Sequence, residues 1–163
     1  MRNAISNTSP LLYLYRIGVL DWLSDIFDEI CTPQSVVLEL HEGQRRGYDV
    51  PVPEDYSWLK IANPKNIPPQ WFALDLGPGE LAAMALALEY QNHILLLDDG
   101  LARRTAQAAG LTVWGTLKIL LEAKHQGLTD QVAPLIDRLA NAGMWISDKI
   151  RDRILVLAHE ALP

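Results

Sequence analysis

Residues 94–100 read Ile-Leu-Leu-Leu-Asp-Asp-Gly, four apolar side chains ending in two carboxylates and a glycine. A run with no wet and dry alternation suits a strand buried on both faces, as in a parallel sheet. Its tip then falls where such sheets bind ligands, beyond the carboxyl ends of the strands. A single acid is enough to cap the helix that Gly100 opens, so two exceed what turn chemistry needs.

Outward from this point, strand and helix alternate. Ala4–Ser6 reads as a short strand, followed by an apolar helical stretch to Phe27 that Gly18 breaks in two. Glu29–Cys31 reads as a second strand. Thr32 and Pro33 then supply an N-cap and a first helical position for a helix through Gly43. Residues 44–72 carry Pro51, Pro53, Pro64, Pro68 and Pro69, which argue for an irregular surface excursion with one candidate strand at Trp58–Ile61. Gly77-Pro78-Gly79 opens a helix rich in alanine and leucine through Tyr90, apolar nearly all round and therefore buried.

The quoted run belongs to a strand His93–Leu97, followed by a helix Gly100–Ala109, a strand within 110–115 and a helix 116–127 with Gly127 at its C-terminal cap. Two terminal helices follow, marked by Val132, Leu135, Ile136 and Leu139, and by Ile150, Ile154, Leu157 and Ala161. Such alternation predicts an α/β fold with a small, mostly parallel sheet and a helical C-terminal extension. The expected organisation is one domain over 1–163, with a core of about 4–127 and terminal helices over about 130–162.

Bulk properties exclude several classes. No apolar stretch reaches the roughly 20 residues that span a bilayer, and "MRNAISNTSP" lacks the apolar core of a signal peptide, so a cytoplasmic protein with no membrane partner is expected. A net charge of −6 is the wrong sign for gripping nucleic acid by bulk attraction. It does not disfavour an enzyme that offsets its carboxylates with a cation. Cys31 is the one cysteine, which rules out an intramolecular disulfide and a thiolate cluster and leaves a small buried hydrophobe as its expected role. His41, His93, His125 and His159 show no ligand pairing.

Four positions fall at or near the ligand-binding edge: Asn7 after the first strand, Glu39 on the helix after the second, Glu80 in the first turn of the buried helix, and the Asp98-Asp99 pair. Ordinary chemistry accounts for each alone, as caps, a solvated helix face or a dipole partner. Together they crowd negative charge that a cation would relieve. Oxygen donors without histidine or cysteine suit Mg²⁺ or Mn²⁺.

The blocks "ISNTSPLLYLYRIGVLDWL", "PQSVVLEL", "LGPGELAAMALALE", "LLLDDGLARRTAQAAGL" and "GTLKILLEAKHQGL", in this order, resemble a PIN-domain nuclease over residues 4–145. The similarity is to the branch found beside bacterial toxin–antitoxin pairs. It implies a three-layer α/β/α fold and a Mg²⁺- or Mn²⁺-dependent endoribonuclease acting on RNA. It also implies a small antitoxin protein as partner and a homodimer. Carried over by position, the family's first acid falls on Asn7, its second on Glu39, its third on Glu80 and its last on the Asp98-Asp99 pair, with Asp99 the better match. The resemblance implies metal ligation by Asn7, Glu80, Asp98 and Asp99, and catalytic roles for Glu39, Glu80, Asp98 and Asp99. Thr8, Ser9, Arg103 and Thr116 are the matching candidates for contact with substrate, as are Arg104, Lys118 and Lys124 for phosphates.

Asn7 departs from the family pattern, because its carboxamide offers a neutral oxygen where a full charge is usual. It leaves open a catalytically degenerate PIN-fold protein that binds RNA or a protein. A phosphotransferase with an aspartyl nucleophile would need aspartate straight after the first strand, where this chain has "SNTSP". A receiver domain would place its acid pair early in the chain, not at 98–99.

Overall fold

Asn3–Ser6 (β1) pairs in parallel on one side with Glu29–Thr32 (β2) and on the other with His93–Leu96 (β4). Leu59–Ile61 (β3) extends the sheet beyond β2, and Val113–Trp114 (β5) beyond β4, so all five strands are parallel in the order β3-β2-β1-β4-β5. The chain is described here by a computed structural model covering residues 2–161.

Successive strand residues point to opposite faces, and the sequence fills both. Ala4, Ile30, Ile94 and Leu96 enter one apolar cluster, with the helices Thr8–Arg16 (α1), Trp22–Ile26 (α2), Gln34–Arg45 (α3), Thr116–His125 (α6) and Ala133–Asn141 (α7). Ile5, Cys31, Leu95 and Leu97 enter a second, with Pro78–Glu89 (α4) and Gly100–Ala108 (α5). The result is three layers, as the continuous apolar run at 94–97 predicts. Each fully buried Ile or Leu stabilises the fold by roughly 1.5–3 kcal/mol. Ala82, Ala83, Ala85 and Ala87 are all buried on α4, and their short side chains let that helix lie close against the sheet.

Several local expectations change. Thr32 does not cap α3. It is the last residue of β2, and its hydroxyl donates to the Ser6 carbonyl at 2.8 Å, while Pro33 holds the N-cap position. Proline has no amide to lose there, and Gln34 N finds Asn63 Oδ1 at 2.8 Å instead. The proline-rich excursion contains β3 and two short 3-10 turns, Pro53–Asp55 and Pro69–Ala73. Gly18 and Gly127 take the left-handed conformations, φ 77° and 81°, that end α1 and α6 as expected.

The last helix departs most. Asp148–Leu157 (α8) stops before Ala161 and buries no residue fully: of the predicted apolar face, Ile154 packs partly buried against the core with Leu155, while Ile150 and Leu157 are exposed. Beyond it His159 adopts φ 59°, a left-handed position that costs a non-glycine residue about 1–2 kcal/mol. This reversal returns Glu160 to the start of α7. There its carboxylate accepts from Val132 N at 2.7 Å and Ala133 N at 3.0 Å, and pairs with Lys124 Nζ at 3.0 Å. No described helix is long and apolar enough to cross a membrane.

Burial alone would raise the Glu160 pKa, but the two amides and Lys124 outweigh it and hold the carboxyl below its usual value. A depressed folded-state pKa contributes stability that is present above the unfolded value and lost as pH falls through the folded one. Glu160→Ala is therefore expected to destabilise the protein by roughly 1–3 kcal/mol at pH 7 in urea unfolding. That difference should shrink as the pH falls below the usual glutamate range. A difference that is constant with pH would rule out the carboxylate as its source.

Candidate metal centre

Parallel strands bring the start of α1, the start of α4, the tip of β4 and the start of α6 to one edge of the sheet. Five of the sequence-predicted residues are tied together there by hydrogen bonds. Asp98 accepts from the Thr116 amide through Oδ1, and from the Thr116 and Ser9 hydroxyls through Oδ2, each at 2.7 Å. Thr8 Oγ1 donates to Glu39 Oε2 at 2.5 Å. Ser9, Thr8 and Thr116 thus spend their hydroxyls on carboxylates across the edge, not on capping their own helices.

The remaining acids keep oxygens open. Asp99 caps α5 by accepting from Ala102 N at 2.9 Å through Oδ2, which leaves Oδ1 facing outward on an exposed residue. Glu80 accepts from Gly77 N at 2.9 Å through Oε1, half of a capping box that glycine cannot reciprocate, and Oε2 stays free. Glu39 also receives the Gly79 amide at 3.0 Å.

Two electrostatic observations bear on a cation. Burial, with the charges of Asp99, Glu39 and Asp75 behind it, raises the Glu80 pKa against the lowering effect of Gly77 N–H. Raised in the folded state, this carboxylate costs stability as pH climbs from the usual glutamate value through the shifted one. Asn7 is the second. Its residue is 5% exposed, and its Oδ1 is buried with no hydrogen-bond partner. An unpaired buried carbonyl oxygen costs about 1–3 kcal/mol unless something outside the protein binds it.

Among the described residues, no three His, Cys, Asp or Glu side chains stand close enough to hold an ion by themselves. The donor set fits a hard cation held in part through water: one orphaned amide oxygen and the open oxygens of Glu80 and Asp99. Asp98, with three donors on two oxygens, is an anchor. Arg103 reaches the same edge, its Nη1 only 2.5 Å from where a Cβ on Gly115 would lie. Arg104 is exposed on α5, Lys118 on α6 lines the same cavity as Asp98 and Arg103, and Lys124 near the end of α6 pairs with Glu160.

Sequence reasoning missed the two glycines that give these side chains room. A Cβ on Gly79 would lie 2.5 Å from Glu39 Oε1, so the Gly-Pro-Gly that opens α4 also clears space for Glu39. The signal was present in that motif but reads equally well as a helix start.

Residues 3–160 match the family model DUF3368, described as a PIN domain. The chain belongs to the PIN-domain family. Among solved structures, this PIN domain is similar to a PilT N-terminus domain protein, SSO1118, from the hyperthermophilic archaeon Sulfolobus solfataricus P2. The two share 15% identity over 89% of this chain and 97% of the other, with a TM-score of 0.51, a likeness of fold alone. No match was found among curated proteins. PIN domains are in general nucleases that use divalent metals, and the acid edge lies where this PIN domain's sheet topology places a ligand site.

Asp98 and Asp99 should separate by stability. Asp98→Ala removes three accepted bonds and is expected to cost about 3 kcal/mol in urea unfolding. Asp99→Ala removes one cap and should cost about 1 kcal/mol. Equal losses would contradict the anchoring role of Asp98.

Proposed function

We propose that this PIN domain is a Mg²⁺- or Mn²⁺-dependent endoribonuclease that hydrolyses RNA phosphodiester bonds at the acid edge. The observation that carries the proposal is the orphaned, buried Oδ1 of Asn7 on the edge where burial and the neighbouring charges of Asp99 and Glu39 raise the Glu80 pKa. An acceptor with no protein donor, next to uncompensated negative charge, is the environment a cation satisfies.

Asn7, Glu80 and Asp99 would hold the ion, with Asp98 fixing the strand tip on which Asp99 stands. When bound, the ion supplies a lowered pKa for a water and charge stabilisation at the scissile phosphate. Glu39, exposed and steadied by Gly79 N and Thr8, would orient the attacking water and take its proton. Ser9 and Thr116 keep Asp98 in place, and Arg103, which with Asp98 borders Gly115, would meet a phosphate. A small antitoxin protein and a second copy of the chain are the partners that belong to this proposal.

Asn7 also favours a second reading, a PIN domain that binds RNA or protein without cleaving, because one ligand charge is missing. Titration with Mn²⁺ and cleavage of a single-stranded RNA separate the two. Wild type is expected to bind Mn²⁺ weakly, Asp99→Asn to lose binding, and Asn7→Asp to bind about tenfold more tightly and cleave faster. Since protonated Glu80 is no ligand, Mn²⁺ affinity should begin to fall at a pH above the usual glutamate range. Metal binding and cleavage only in Asn7→Asp would establish the degenerate reading instead.

A further inference from the structure

The C-terminal extension closes one side of a groove that begins at the acid edge. A cavity of about 680 Å³ runs between β5–α6 and α8, and Asp98 and Arg103 line its mouth. Trp114, Leu121 and Ile154 form its apolar floor. Its lip carries Trp145 at 83% exposure, with Ile150 and Leu157 also exposed. An indole this open, in the segment between α7 and α8, is not core packing.

The lining of this groove is mainly of one charge sign. Arg103, Lys118 and Arg153 line it, and Asp98 is the one acid among the lining residues, already engaged by three donors. Elsewhere Arg2, Arg45, Arg46, Lys60, Lys124 and Arg151 are paired with carboxylates, while Arg16, Lys65, Arg104, Arg138 and Lys149 are unpaired among the described residues but lie outside this lining. Among the described residues the three groove cations make no ion pair. A chain of net charge −6 thus lines one apolar trough with three cations and a single, already engaged acid, Lys118 lying over the Trp114 ring at 5.2 Å.

We propose that this groove binds single-stranded RNA and leads it to the acid edge, Trp145 stacking a base while Arg103, Lys118 and Arg153 hold the phosphates. A single strand presents apolar base faces on one side and a polyanionic backbone on the other, and both have counterparts here. Stacking needs no hydrogen-bond code, so a flat exposed indole serves any base. A duplex hides its base faces and has nothing to offer Trp145. The substrate track rests on the ribonuclease proposal, but binding can be read without cleavage.

The test is fluorescence anisotropy of a labelled, unstructured RNA of about twelve nucleotides with the full chain in EDTA, over a range of salt. Wild type is expected to bind, more weakly as salt rises. Trp145→Ala should weaken binding by about tenfold, since stacking on one aromatic is worth roughly 5- to 100-fold. Lys118→Glu with Arg153→Glu should weaken it further and flatten the salt dependence. All three side chains are exposed or at a rim, so circular dichroism should show the variants folded.

Wild-type affinity in Trp145→Ala, or equal affinity for a duplex of the same sequence, overturns the proposal. So does displacement of the RNA by no single strand but by an acidic amphipathic peptide, or a dimer in sedimentation that Trp145→Ala dissolves. Groove-dependent binding without Mn²⁺-supported cleavage would sink the ribonuclease and leave the track standing. Cleavage indifferent to the groove variants would do the reverse.

Discussion

Asp98 receives donors from α1 and α6 while sitting at the tip of β4, so one carboxylate closes the edge of a sheet whose strands are far apart in the chain. Without it, the first turns of α1 and α6 would each carry an unpaired hydroxyl, and the β4–α5 turn that presents Asp99 would lose its fixed point. A carboxylate can do this because it accepts at several lone pairs, whereas an amide would have to turn one NH2 toward the same donors. Acceptor chemistry thus divides the Asp-Asp pair into one residue that builds and one that remains available.

The rest of the edge is held under tension of like charge. Glu39 and Glu80 are fixed by amide donors at the start of α4, and Glu80 is kept partly out of water near Asp99 and Asp75. Folding into a hydrophobic sheet has to absorb this cost, which the burial on both faces can do. Asn7 lowers it by one charge, at the expense of leaving a carbonyl oxygen with nothing to accept from.

Periodicity made the layers legible. The uninterrupted Ile94–Leu97 run, the all-round apolar α4 and the order of the blocks led to a parallel three-layer sheet, because two-sided burial leaves a distinctive composition. The acid positions were legible as a set, through topology and family resemblance, but not as roles. Whether Ser9 caps α1 or reaches Asp98 depends on a contact across 89 positions of the chain, which no local pattern encodes. Thr32 looked like a cap because Thr-Pro commonly is one, yet a neighbouring strand's carbonyl at Ser6 competed for its hydroxyl and won. Likewise the spacing of Ile150, Ile154 and Leu157 announces an apolar face without saying whether the protein's own core will cover it.

The position of β1 at the centre of the sheet has a consequence for how the chain is made. Asn3 leaves the ribosome well before His93, and one of its partners, Glu29, follows soon after it. His93, which flanks it on the other side, is synthesised only after the proline-rich excursion and all of α4. During that interval β1 and β2 present an open edge with apolar side chains on both faces, the kind of surface that associates wrongly. Vectorial synthesis therefore leaves the middle of this sheet among its last parts to close, and chaperone contact during translation should concentrate on the stretch before residue 93 has emerged.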